Sequence, residues 1–226
     1  MLSLPTLALP DAVARLTLCV RRDHGAGQPL GAGGARVVSV IARGAVAVFV
    51  HPPGRSKFAL EILGPGAIAM TGSQTDLLSA DSWLEAVTLT ATSILQVPRN
   101  VFEHETASDP AFAAAVVASL HRQYRAVAEH RLLLQLRPTA RVAAALLFLQ
   151  RQMSGDGATS TSLAITQDVV AGTAGLSRQT TNQALRSLQR TEAVTVSRAQ
   201  IALRDPERLR AIASAAASPA SSAVRS

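Results

Sequence analysis

The chain has 226 residues, 48% apolar but only 3% aromatic, so two modest domains with cores of Ala, Val and Leu are within reach. It carries 21 arginines, the single Lys57 and a formal net charge of +7. The excess is lopsided: residues 137–226 hold 11 arginines against 5 acidic residues, whereas residues 1–136 hold 11 basic against 10 acidic ones. A basic C-terminal part has the footprint of a phosphate-binding module, and arginine pairs bidentately with phosphate and guanine. The only cysteine, Cys19, excludes an intrachain disulfide and a thiolate-only metal or iron–sulfur site. No apolar run approaches the length of a membrane span, and the N-terminus lacks a basic leader, so a cytoplasmic protein is expected.

Residues 1–22 read as a short helical or irregular lead, and the glycine-rich stretch 24–34 as loop. Strands are expected over Val37–Ile41, Ala45–Val50, Lys57–Leu63, Leu84–Leu89 and Ser93–Val97. Turns at Gly44, Pro52-Pro53-Gly54 and Gly64-Pro65-Gly66 separate the first of them. Short strands with turns this frequent argue for a β-sandwich or jelly roll. Asp109-Pro110 then opens a helix over Ala111–Leu136, about 39 Å long. Ala113, Leu120, Val127 and Leu134 recur every seven residues, with Val117 and Tyr124 beside them. Such a stripe marks a two-stranded seam or a helix packed on its own domain.

Arg137-Pro138 interrupts that helix, and another follows over Thr139–Gln152 with Val142, Leu146 and Leu149 inward. Residues 154–162 are loop. The stretch Thr166–Thr191 reads as two helices around a tight turn. Thr166 caps the first, Gly175 ends it, and Ser177 caps the second, whose apolar stripe is Ala184, Leu185 and Leu188. The opposite face is expected to carry Arg178, Gln179, Thr181, Asn182, Gln183 and Arg186. Arg, Gln and Asn in front of an apolar back suit the major groove of DNA. Val194–Leu203 follows as two alternating strands around Ser197–Gln200, a wing. The DNA-contact candidates are Thr166, Gln167, Ser177, Arg178, Gln179, Thr180, Asn182, Gln183, Arg186 and, on the wing, Arg198. A last short helix starts at Asp205-Pro206 and runs to about Ala213, and an Ala- and Ser-rich tail over 214–226 is expected to be disordered.

The helix-turn-helix stretch resembles the C-terminal domain of the catabolite activator/FNR family of bacterial regulators. The resemblance lies in Thr166-Gln167, Ala171, Gly175–Thr180, Leu185 and Leu188, then in Ile201, Leu203, Asp205 and Leu209. The stretches RGAVAVFV, LGPGAIA and AVTLTATSILQVPRNVF resemble, more loosely, the family's effector-binding β-roll. The resemblance implies an α+β fold: a β-roll over 1–109, a dimerisation helix over 110–137 and a winged helix-turn-helix over 138–213. It implies a homodimer on a palindromic operator, with double-stranded DNA and RNA polymerase as partners. Val117, Leu120, Tyr124, Val127 and Leu134 would then form the dimer seam.

Cyclic-nucleotide binders of the family place a Gly-Glu pair and an Arg-Ser or Arg-Thr pair in the roll. Here those places read Met70-Thr71 and Ser82-Trp83. A buried phosphate without its cation is poorly compensated, so cAMP binding in the usual mode is not expected. Trp83 reads as a core or dimer-contact aromatic. Relatives that read the TGTGA half-site commonly carry Arg, Glu and Arg where this chain has Arg178, Gln179 and Gln183. A guanine opposite Arg178 should therefore be kept and the base beside it altered.

No catalytic motif is present, Glu103 and Glu105 lie on a polar segment without partners, and no cofactor or metal is expected. The histidines His24, His51, His104, His121 and His130, with Cys19, show no spacing that marks a haem site. The alternatives are a regulator with another effector (another nucleotide, haem or a gas, a small metabolite), one switched by abundance or a partner protein, an enzyme using the roll, or a roll acting as a protein-interaction module.

Overall fold

A computed structural model of the chain describes residues 8–30, 36–54, 56–69, 83–154 and 161–215. The chain divides into two compact units after Val127, within the long helix, and the segment Ala128–Arg151 belongs with the second.

The first unit begins with α1 (Leu9–Ala14), a short helix within the expected lead, and β1 (Val20–His24). Then come β2 (Pro29–Leu30), β3 (Val37–Arg43), β4 (Val46–His51), β5 (Phe58–Leu63), β6 (Ile68–Ala69), β7 (Trp83–Thr88) and β8 (Thr92–Pro98). They form two antiparallel four-stranded sheets, ordered β1-β8-β3-β6 and β2-β7-β4-β5. The five expected strands are all present with ends shifted by a residue or two. The sheets share a core of Ile41, Val46, Leu63, Ala67, Ala69 and Ile94. The first sheet is buried on its other face too, where Val40, Leu95 and Val97 meet Leu9, Val13, Phe102 and Phe112. Burial on both faces explains the adjacent apolar pairs Val40-Ile41 in β3 and Ile94-Leu95 in β8, one residue of each pair going to each core. Gly44 makes the β3–β4 corner at φ +82°, where a side chain would meet the Ala91 carbonyl and the Thr90 and Thr92 hydroxyls.

Two helices follow. The first, α2 (Arg99–Ser108), was not expected; it buries only Phe102, and Glu103 has a partner after all, Arg99 at 3.8 Å. The second is α3 (Pro110–Leu133). Its inner face, Phe112, Ala115, Val116 and Ser119, is buried. Ser119 Oγ donates to the Gly66 carbonyl at 2.5 Å, and the Gln123 side-chain amide exchanges two 3.0 Å hydrogen bonds with the Ile68 backbone. The other face exposes Val117, Leu120 and Tyr124. The helix ends at Leu133, so the expected heptad does not reach Leu134, which lies past it, half-buried.

The second unit takes in the end of α3, most of α4 (Pro138–Ser154), β9 (Ser162–Leu163), α5 (Gln167–Ala174), α6 (Arg178–Arg190), β10 (Val194–Ser197), β11 (Gln200–Leu203) and α7 (Pro206–Ala215). Its core holds Leu146, Leu149, Leu163, Leu185, Leu188, Ile201, Leu203 and Leu209, all below 2% exposed. His130 is buried here as well. Its Nε2 donates to the Thr173 carbonyl at 2.7 Å, and its ring stacks on Phe148 at 5.4 Å.

Candidate nucleic-acid interface

Local chemistry sets both helices of the turn. The Thr166 hydroxyl accepts from the Val169 amide at 3.3 Å, which caps α5 and satisfies one of its free N–H groups. At the far end Gly175 is left-handed, φ 58°. The Leu176 amide reaches back to the Ala171 carbonyl, and the Gly175 amide to the Gly172 carbonyl. That pair is the Schellman arrangement, which needs a residue at ease with positive φ. Ser177 then caps α6, its Oγ accepting from the Thr180 amide at 3.1 Å and lying 2.8 Å from the Thr180 hydroxyl.

With both ends pinned, α6 has two distinct faces. Ala184, Leu185 and Leu188 are 3%, 2% and 0% exposed and anchor it to the core. Gln179, Gln183, Arg186 and Arg190 are exposed and fall on one face at helical spacing. Arg190 belongs to this face although it is not among the expected contacts. The periodicity that marks Gln179, Gln183 and Arg186 extends to it. Arg178, at the first position, is exposed, and its Nε lies 3.5 Å from Asp168 Oδ1.

Two expected front-face residues lie elsewhere. Thr181 is fully buried, and its hydroxyl has no hydrogen-bond partner among the described residues. It sits four and seven residues before Leu185 and Leu188, so the helix turns it inward. Asn182 is half-buried at the margin of the exposed face, its Oδ1 covered and unpartnered. Thr166 and Ser177 are exposed, while Gln167 and Thr180 are half-buried.

The wing is a hairpin, β10 against β11, with Val194 paired to Leu203 and Ser197 to Gln200. Arg198 is exposed at the two-residue turn beside Ala199, which has φ 58°. Short β9, absent from the sequence reading, pairs antiparallel with β11 as a third strand. Gln200 Nε2 fastens them by donating to Ser162 Oγ at 2.8 Å.

In the first unit, three of the four roll positions, Met70, Thr71 and Ser82, lie outside the described residues. Trp83 is described and is no core aromatic: it is 53% exposed and stacks on His51 at 3.7 Å between ring centroids. Its Cα partner across β4 and β7 is His51, which puts both rings on one face of the sheet. Beside them Glu85 accepts from His51 Nε2 at 2.8 Å and from Lys57 Nζ at 2.9 Å, and Lys57 lies over the Phe49 ring at 4.5 Å. Burial alone would raise the Glu85 carboxyl, but the Lys57 and His51 hydrogen bonds and charges outweigh it and hold it below its ordinary range. Glu61, on β5, has no such partner among the described residues, and burial pushes its carboxyl up. Cys19 is half-buried, its thiol raised by burial and only partly opposed by Arg21. Among the described residues no group of His, Cys, Asp and Glu is placed to hold a metal ion, and no helix is long and apolar enough to cross a membrane.

Residues 140–212 match the model of the Crp-like helix-turn-helix domain. The span runs from α4 into α7 and takes in both caps, the glycine corner and the wing. That span is a Crp-like helix-turn-helix domain, and the chain as a whole shares its fold with the solved structures that follow. A CRP-family transcriptional regulator of Thermus thermophilus superposes with TM-score 0.68 at 20% identity, over 85% of this chain and 96% of its own. FixK2 of Bradyrhizobium japonicum gives 0.67 at 21%, over 87% and 98%. The c-di-GMP-responsive global regulator CLP of Xanthomonas campestris gives 0.62 at 16%, over 85% and 95%. No curated protein matches the sequence. Within this span α5 and α6 form the helix-turn-helix, and the β10–β11 hairpin follows them.

Proposed function

We propose that this chain is a homodimeric, sequence-specific DNA-binding regulator that acts on a palindromic operator and is not controlled by cAMP in the usual mode. The observation that carries the reading is the capped, two-faced α6 in a Crp-like domain, with Arg178, Gln179, Gln183 and Arg186 outward. Arg178 reads a guanine, Gln179 and Gln183 the neighbouring bases, and Arg186, Arg190 and Arg198 hold phosphates. The dimer reading is supported by Val117, Leu120 and Tyr124, which are 66%, 50% and 74% exposed on one face of α3. An apolar stripe on a helix already docked by its other face calls for a second covering surface. A two-fold pair of chains would carry two α6 helices, which calls for a site with two half-sites.

The test is selection of bound sequences from random DNA, followed by variants. Arg178→Ala should relax one guanine per half-site by about 1–3 kcal/mol, while Arg186→Ala weakens all sequences alike. Leu120→Asp with Tyr124→Asp should give a monomer by light scattering. A selected site without two-fold symmetry, or a variant that stays dimeric, would refute the respective part. The cAMP reading fails if calorimetry finds micromolar binding. A different effector remains the second reading, and the same selection with cell extract present distinguishes it.

A further inference from the structure

The ion pair across the helix-turn-helix corner has a use beyond the fold. Asp168 lies in the first turn of α5, and Arg178 is the first residue of α6. Ten residues separate them, and the Schellman corner at Gly175 brings their side chains to 3.5 Å, Arg178 Nε to Asp168 Oδ1. The caps fix both backbones and so keep the two side chains within reach, while the 3.5 Å approach itself is an ion-pair contact between exposed side chains. On the same helix, Arg186 and Arg190 have no acidic partner among the described residues. Arg178 also stands where a cation is least favoured, since the N-terminus of a helix carries partial positive charge.

We propose that Asp168 is a positioning residue for base reading: it holds Nε of Arg178 so that the two terminal nitrogens of the guanidinium point out toward guanine. A carboxylate on Nε leaves the end-on fork free, and that fork matches the O6 and N7 acceptors of guanine. The two side chains keep 71% and 55% of their exposure, so the fork stays accessible. The carboxylate also neutralises Arg178 locally and disfavours its capture by a phosphate. Such an exposed pair adds little to stability, so its consequence falls on which DNA group Arg178 meets. The inference rests on the proposed DNA reading and names a residue outside its contact set.

The experiment uses the full chain and the operator that the wild type selects. Asp168→Ala, Asp168→Asn and Asp168→Glu are compared on that operator and on its single-base variants. Thermal unfolding checks that each variant is folded. Ala and Asn should lower discrimination at the guanine facing Arg178 by about three- to tenfold per half-site and leave other positions unchanged. Both should tighten binding to random DNA and steepen its salt dependence by about one unit of slope, as a freed arginine finds a phosphate. Glu should restore most of the discrimination. In an Arg178→Ala background the Asp168 substitutions should no longer affect that base. Uniform changes across all sequences would overturn the proposal and leave Asp168 a solvated charge. If the wild type selects no sequence at all, the DNA reading fails first and this inference with it.

Discussion

Replacing Gly175 by alanine tests the corner on which the interface depends. The residue has φ 58° and ψ 38°, squarely left-handed. Holding an L-residue there costs about 1–2 kcal/mol, because its Cβ crowds the following carbonyl. The added Cβ would also come to 3.1 Å from Cδ2 of Leu134, the movable end of a half-buried side chain, which adds little. Against this, alanine stiffens the unfolded chain and returns about 0.4–1 kcal/mol. The net loss is about 1 kcal/mol, or about 2–4 °C in Tm for a chain of this size. Gly175→Asn isolates the cause. It brings the same Cβ but tolerates the left-handed region, so it should lose less than alanine. Urea and thermal unfolding of the three proteins measure the order. An alanine variant as stable as wild type, or an asparagine variant worse than alanine, would refute the backbone argument.

Three further outcomes follow from polar groups that are buried or half-buried. Thr181→Val swaps an unpartnered, fully buried hydroxyl for a methyl of the same shape and should raise stability by about 1 kcal/mol without changing operator preference; a loss would mean that the hydroxyl is bonded after all. Glu61 has a raised carboxyl, so the folded state holds its proton more tightly than the unfolded one and stability falls as pH rises past its ordinary value near 4.5. Glu61→Gln should therefore raise the urea midpoint at pH 7 and give no gain below pH 4.5. Glu85 is the opposite case: its lowered carboxyl contributes stability above pH 4.5 that disappears as pH falls through the lowered value. The deficit of Glu85→Gln at pH 7 should close on acidification, and a constant deficit would contradict the Lys57 and His51 partnership.

The parts of this fold that local chemistry decides can be read from the sequence. Thr166, Gly175 and Ser177 each do something that few other residues do as well, so the two helix ends and the corner follow from three positions. Thr181 was misread because its hydroxyl suggested a polar face, while its spacing from Leu185 and Leu188 already placed it inward; periodicity outweighed residue type. The helix α2 gave no signal, since a single buried residue, Phe102, makes no stripe. Strands β2, β6 and β9 are two residues each and exist because a longer partner comes alongside, a tertiary cause with no local mark. The heptad on α3 was ambiguous for a physical reason. One helix packs Phe112, Ala115 and Val116 inward and leaves Val117, Leu120 and Tyr124 outward, so apolar residues occur on both faces.

On the proposed DNA reading, charge placement on α6 separates affinity from specificity. After Arg178 the N-terminal half of its exposed face is uncharged, with Gln179 and Gln183, and Arg186 and Arg190, without an acidic partner among the described residues, lie further along. Arginines on phosphates add affinity for any sequence, and that affinity weakens with salt. Amides add little to that background, because their hydrogen bonds to bases depend on the right donor and acceptor pattern. Arg178, a cation at the end proposed to read bases, is the exception: among the described residues it is the arginine of α6 that lies against a carboxylate. The same physics accounts for both choices. A charge near the bases is useful only if it is kept from the nearest phosphate, either by substituting an amide or by holding the guanidinium on a partner such as Asp168.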